Sequence, residues 1–206
     1  KTMHQVGSNK EYRDNGEYNV FTYLGDGDLY LIEKLSGDSI YRRFTISENN
    51  DLIEVLANEQ PIKPVKKGAM HRIHVNFKTG KAKIVAIDNL ELWYNGSVNG
   101  SLGSFSLEDP KTPVWTLTHY MELSGTAISK YRYKFRTLET DHSGNSDYQY
   151  WGYETTTAVN QTPNSPVNYF YLYPADGSTN NCFKFQDNGH DKKNLRFTVD
   201  LRVSTD

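Results

Sequence analysis

An all-β, antiparallel fold is what this sequence predicts, on three observations. No segment keeps a helical apolar period over three turns. Short runs rich in Tyr, Phe, Val, Ile and Thr recur instead, between clusters of Gly, Asn, Asp and Pro. Several of these runs alternate apolar with polar residues, the period of a strand that buries one face. Motifs of the first half also return in the same order in the second, which predicts two antiparallel β-sandwich domains in tandem.

Residues 1–16 are polar, with little to bury, and read as a tail or linker. The first domain, 17–94, has candidate strands at 18–23, 29–34, 39–46, 52–56, 71–77 and 82–87. The last two flank Lys78-Thr79-Gly80-Lys81, a turn of hairpin type. Ile73, Val75 and Phe77 alternate there with His74 and Asn76, the mark of a half-buried strand. Residues 95–104 are rich in Gly, Ser and Asn, the residues of turns and connections, and mark the junction.

The second domain, 95–206, has candidate strands at 114–118, 120–123, 130–138, 148–153, 168–173, 182–186 and 195–203. In the last, Leu195, Phe197, Val199, Leu201 and Val203 take one face. Arg196, Thr198, Asp200 and Arg202 take the other, so core opposes solvent or a polar groove. The echo between halves is Leu35-Ser36-Gly37 leading into 39–45, and Leu123-Ser124-Gly125 leading into 129–135. Each half then closes on an alternating strand.

Composition excludes several classes. Net charge is −2 with both signs interspersed, so no basic stripe marks a nucleic-acid partner. No apolar run approaches the ~18 residues of a membrane helix. The 15 Tyr, 9 Phe and 3 Trp argue for a folded chain, since disordered ones are poor in aromatics. Cys182 is the single cysteine, which excludes an internal disulfide and a Cys-based zinc cluster. A start on Lys1 reads as a processed or truncated terminus, with any export signal or lipid anchor outside the given chain.

The richest stretch is Tyr131-Arg132-Tyr133-Lys134-Phe135-Arg136, a strand with an aromatic face and a charged face. Tyr148-Gln149-Tyr150-Trp151-Gly152-Tyr153 and Tyr169-Phe170-Tyr171-Leu172-Tyr173 follow it. So many aromatics with hydroxyl or indole N–H groups either stack a large core or present a flat platform, and sugars suit such platforms. Trp151 with Tyr148, Tyr150 and Tyr153 is the sharpest candidate site, because aromatic faces stack on the C–H faces of pyranose rings. Its structural alternative is a tryptophan that fills the core. Tyr169, Tyr171 and Tyr173 share one strand face, as an exposed ladder or as cross-strand packing. Arg132, Lys134 and Arg136 either bind sugar hydroxyls and uronate carboxylates or form a solvated face.

Other chemistry has thin support. His71 and His74 stand three apart, which on a strand points them to opposite faces and denies them a shared metal. Asp26, Asp28, Asp38, Asp187 and Asp191 sit in turns without an EF-hand pattern. Glu122, Glu139 and Glu154 are available, but no spacing marks a catalytic pair, and no G-x-S-x-G is present. The expectation is therefore a non-enzyme without a cofactor.

From Tyr131 to Arg136, then Tyr150-Trp151-Gly152, with Trp115 where such modules start, the sequence resembles the SusE/SusF-like surface glycan-binding lipoproteins of Bacteroidetes polysaccharide-utilisation loci. The resemblance covers residues 92–206 directly and 18–92 only through the internal echo. It implies immunoglobulin-like or carbohydrate-binding-module-like sandwiches at the outer membrane, beside glycan-uptake proteins. The expected function is weak, non-catalytic binding of a neutral poly- or oligosaccharide at a bacterial cell surface, with the first domain structural. The alternative is an adhesin-like spacer or protein-binding module with no sugar ligand.

Overall fold

The structure, a computed structural model, describes residues 4–5, 16–26, 29–34, 41–56, 59–94, 100–121, 132–152, 172–178, 182–184 and 193–201. In chain order its strands are β1 (His4–Gln5), β2 (Glu17–Leu24), β3 (Leu31–Lys34), β4 (Tyr41–Ile46), β5 (Leu52–Glu54), β6 (Ala69–Asn76), β7 (Lys81–Tyr94), β8 (Gly100–Ser104), β9 (Ser106–Asp109), β10 (Thr112–Met121), β11 (Arg132–Thr140), β12 (Ser146–Gly152), β13 (Tyr173–Ala175), β14 (Phe183–Lys184) and β15 (Lys193–Asp200). Among the described residues there is no helix, and every strand pairing is antiparallel. The fold class is the expected one.

Local chemistry fixes the central hairpin. Asn76 Oδ1 accepts from the backbone N–H groups of Lys78 and Thr79 at 3.0 and 3.1 Å. Gly80 closes the turn at φ 66°, a conformation that costs glycine nothing. From there β7 runs for 14 residues and pairs with β6 along its first part, with β8 along its last, and with β11 on its other edge. It is the spine of a nine-stranded sheet in the order β1-β2-β6-β7-β11-β12-β13, with β8 and β14 attached to β7 and β11.

Two three-stranded sheets cover this sheet, one on each face. On the first face, β15-β10-β9 supplies Trp115 and Val199 to a core with Phe21, Met70, Leu90, Leu92, Phe135 and Trp151. On the second, β3-β4-β5 supplies Leu31 and Phe44 to a core with Val20, Leu24, Ile73, Val75 and Ile84. Neighbours Val20 and Phe21 serve different cores because strand side chains alternate. Each large apolar side chain taken from water contributes about 1.5–3 kcal/mol.

Two sandwich layers thus exist, but they share one sheet. The boundary expected at residues 94 and 95 does not divide the core. Strands β7 and β11 pair across it from Tyr133↔Tyr94 to Thr140↔Ala86, and Phe21, Met70 and Ile87 join the core of Trp115 and Phe135. Three further expectations need correction. The polar tail contains β1, which pairs with β2, because backbone pairing needs no apolar side chains. The Gly/Ser-rich junction contributes β8, where a Cβ at Gly103 would come within 3.1 Å of Leu117; small residues let the strand approach its neighbour. The echoed motifs occupy non-equivalent places, since β4 lies in a small sheet and β11 in the large one. Alternation recurs wherever a strand is covered on one face, without a duplication.

Candidate functional site

Strand β11 lies between β7 and β12, and its two faces have different fates. Tyr133 and Phe135 enter the core on the first face. Arg132, Lys134 and Arg136 point to the second face, at the end that β3-β4-β5 does not reach. Arg132 is exposed, but Lys134 is 0% and Arg136 9% exposed, which corrects the expected solvated face. Neighbours on both sides cover a central strand, so its charges must find partners.

Lys134 finds three oxygens. Its Nζ donates to the carbonyls of Asp176 and Ser178 at 2.7 and 2.9 Å and lies 3.6 Å from Asp176 Oδ1. The turn after β13 is thereby pinned onto the face, with Gly177 against the ring of Tyr150. Hydrogen bonds from Ser178, then the Lys134 charge, hold the Asp176 carboxyl below its ordinary value. Arg136 is held differently. Its Nε donates to Glu91 Oε2 at 2.6 Å, and Asn89 Nδ2 donates to Glu91 Oε1 at 3.2 Å. Its guanidinium carbon lies 3.5 Å from the centroid of Trp93 and 3.7 Å from that of Tyr148. A cation between two π-faces is well within the ~6 Å reach of that attraction. Tyr150 meets Trp93 edge-on at 6.4 Å.

Tyr148 and Tyr150 therefore share this face, and Tyr148 is 38% exposed. Trp151 does not share it. It is 5% exposed, meets Phe21 edge-on at 5.5 Å, and donates from Nε1 to Thr137 Oγ1 at 3.0 Å. The expectation that Trp151 leads a platform is corrected: alternation along β12 puts it in the opposite core. Tyr173 is placed only by its backbone, opposite Gly152. Tyr153, Tyr169 and Tyr171 lie outside the described residues.

Trp93, Glu91 and Arg136 complete the cluster, and Trp93 and Glu91 escaped the reading of the sequence. Their signal is the run Leu90-Glu91-Leu92-Trp93, one more alternation, with Leu90 and Leu92 core and the other two on the second face.

A separate polar hollow of about 240 Å³ opens on the first face beside Lys83, Glu139, Asp141, Asn145 and Asp147. Its carboxylates are engaged in holding the fold. Glu139 accepts from Arg72 at 2.8 and 2.6 Å and from Thr137 Oγ1 at 2.9 Å. Asp141 is held below its ordinary value, chiefly by the backbone N–H of Asn145, the reverse of what a general acid requires. His71 and His74 face opposite sides of β6, as the spacing requires, and among the described residues no His, Cys, Asp and Glu group could hold a metal ion.

Comparison with protein-family models, with curated proteins and with solved structures finds no match to this chain.

Proposed function

We propose that this chain binds carbohydrate without cleaving it, on the second face of the large sheet around Trp93, Arg136, Tyr148 and Tyr150. The observation that carries the reading is the stack of Trp93, the Arg136 guanidinium and Tyr148, with spacings of 3.5 and 3.7 Å. Locking two rings and a cation into one stack lowers the entropy a ligand must remove on binding. Ring edges and outer faces supply C–H contacts to a pyranose, while Arg136 and Glu91 set a donor and an acceptor beside them. Among the described residues the Trp93 indole N–H and the Tyr148 and Tyr150 hydroxyls have no hydrogen-bond partner, which leaves three polar groups for a ligand. A bacterial cell-surface location beside glycan-uptake proteins rests on the resemblance to SusE/SusF-like proteins.

Affinity electrophoresis and calorimetry against plant, host and microbial glycans test the reading. A shallow site of this kind should give a Kd of ~10 μM to 1 mM, and Trp93→Ala and Tyr148→Ala should weaken it at least about tenfold while the chain still melts cooperatively. A folded parent that retains no glycan defeats it. A protein-binding spacer is the second reading, favoured by Ile32, Tyr41 and Ile53, exposed at 60%, 61% and 40%. The register places them on one face of β3-β4-β5, and clustered exposed apolar residues mark contact surfaces.

A further inference from the structure

We infer that the sugar taken by this face is an acidic one, its carboxylate received by the two terminal nitrogens of Arg136, an inference that rests on the carbohydrate reading just proposed. Arg136 spends one nitrogen inside the protein: Nε, on Glu91. Nη1 and Nη2 have no hydrogen-bond partner among the described residues, and neither is sealed from solvent. The rings of Trp93 and Tyr148 cover both faces of the guanidinium. Water and ligands therefore reach it only along the edge that carries Nη1 and Nη2. A planar fork of N–H donors with its plane fixed matches the two oxygens of a carboxylate.

Its neighbours point the same way. Lys134, two residues along the same face, is saturated by Asp176 and Ser178 and cannot compete for the ligand. Arg132, a further two along, is exposed on that face. Glu91 holds Arg136 by a single side-on hydrogen bond and leaves the fork open. A sugar hydroxyl can accept from the same fork, but a bond to an ionised acceptor is roughly twice as strong. The expected neutral ligand came from a sequence in which no charges visibly converged. Fixing the Arg136 guanidinium between Trp93 and Tyr148, with only Nε spent on Glu91, changes the preference.

The test pairs each acidic polymer with its own carboxyl-reduced twin, using polygalacturonate, alginate and hyaluronate, with dextran sulfate as a charge-only control. The unmodified protein should bind at least one acidic polymer about tenfold more tightly than its reduced twin. Arg136→Gln should abolish that preference. Glu91→Gln, which removes a like charge beside the ligand, should preserve or tighten acidic binding, whereas it should weaken a neutral sugar that used Glu91 as an acceptor. Equal binding of a polymer and its reduced twin overturns the acidic assignment and leaves the carbohydrate reading standing. Equal binding of dextran sulfate also overturns it, since net charge alone would then suffice. Binding of none of these polymers, nor of any neutral glycan, overturns both.

Discussion

Trp151 ends a chain of buried polar contacts that begins across the sheet at Asn19. Arg72 donates to Asn19 and, through two nitrogens, to Glu139; Thr137 donates to Glu139 and receives the Trp151 indole N–H. With side chains only 8% and 4% exposed, Arg72 and Glu139 depend on each other. Glu139→Ala should cost about 3–5 kcal/mol in denaturant unfolding, because it leaves a buried cation unpaired. Arg72→Met together with Glu139→Leu should cost clearly less than that single change. Equal costs would mean the pair is not what the site requires. His71 is a second buried polar anchor: Nε2 accepts from the Lys66 N–H and Nδ1 donates to the Ala69 carbonyl, so the ring is neutral. Burial pushes its pKa below the ordinary 6.5, and burial acts with the same sign on His74 and His119. Below pH 6.5 the unfolded chain then binds more protons than the folded one. Stability should be complete above that value and decline as pH falls from it toward the lowered folded value. His71→Asn should flatten the decline in melts taken from about pH 7 to about pH 5; an unchanged slope would exclude His71 as its source.

Among the elements, β15 and β7 show what alternation can and cannot reveal. In β15, Arg196 and Thr198 are exposed while Val199 is buried and Phe197 packs 5.8 Å from Tyr133, a pattern readable directly from the sequence. The sequence predicts a strand that ends at Ile87, whereas β7 continues to Tyr94. The reason is a register shift against β11 between Leu138 and Glu139, which pair with Asn89 and Ile87 and leave Asp88 extra. Ile87 and Leu90 consequently share a core with opposite parity, and a period-two template breaks at the bulge. Trp93 and Glu91 were lost with it, and so was half the candidate site. Deleting Asp88 should leave Ile87, Leu90 and Leu92 on one face at a plain period of two and the chain folded, whereas inserting one Ala after Asp88 should send Leu90 and Leu92 to the second face and unfold it. Asp88→Ala, which keeps the residue count, should leave a cooperative melt; an unfolded deletion variant beside a folded insertion variant would contradict the bulge. The sequence offers the burial of Trp151 only as one of two alternatives, because alternation gives parity without saying which face is covered.

At the scale of the molecule, one sheet serves both sandwich layers, and that decides how the chain should come apart. The sequence made two sandwiches visible through two sets of alternating strands. It hid their union, because strand pairing between β7 and β11 leaves no mark in composition or period. Unfolding followed by tryptophan fluorescence, which reports Trp115 and Trp151 in the first core, and by far-ultraviolet circular dichroism should give one coincident transition. Two separated transitions would restore two independent units. The shared sheet also gives the candidate site its rigidity, since β7, β11 and β12 each contribute to the Arg136 stack while their opposite sides are fixed in the core. Footprinting of tryptophan oxidation by mass spectrometry, with and without a saturating acidic glycan, tests that site most directly. Half-buried Trp93 should react first and be protected by the glycan, while Trp115 and Trp151, 3% and 5% exposed, react slowly in both conditions. Oxidation of Trp93 at the same rate with every acidic and neutral glycan tested would contradict the assignment of the binding face.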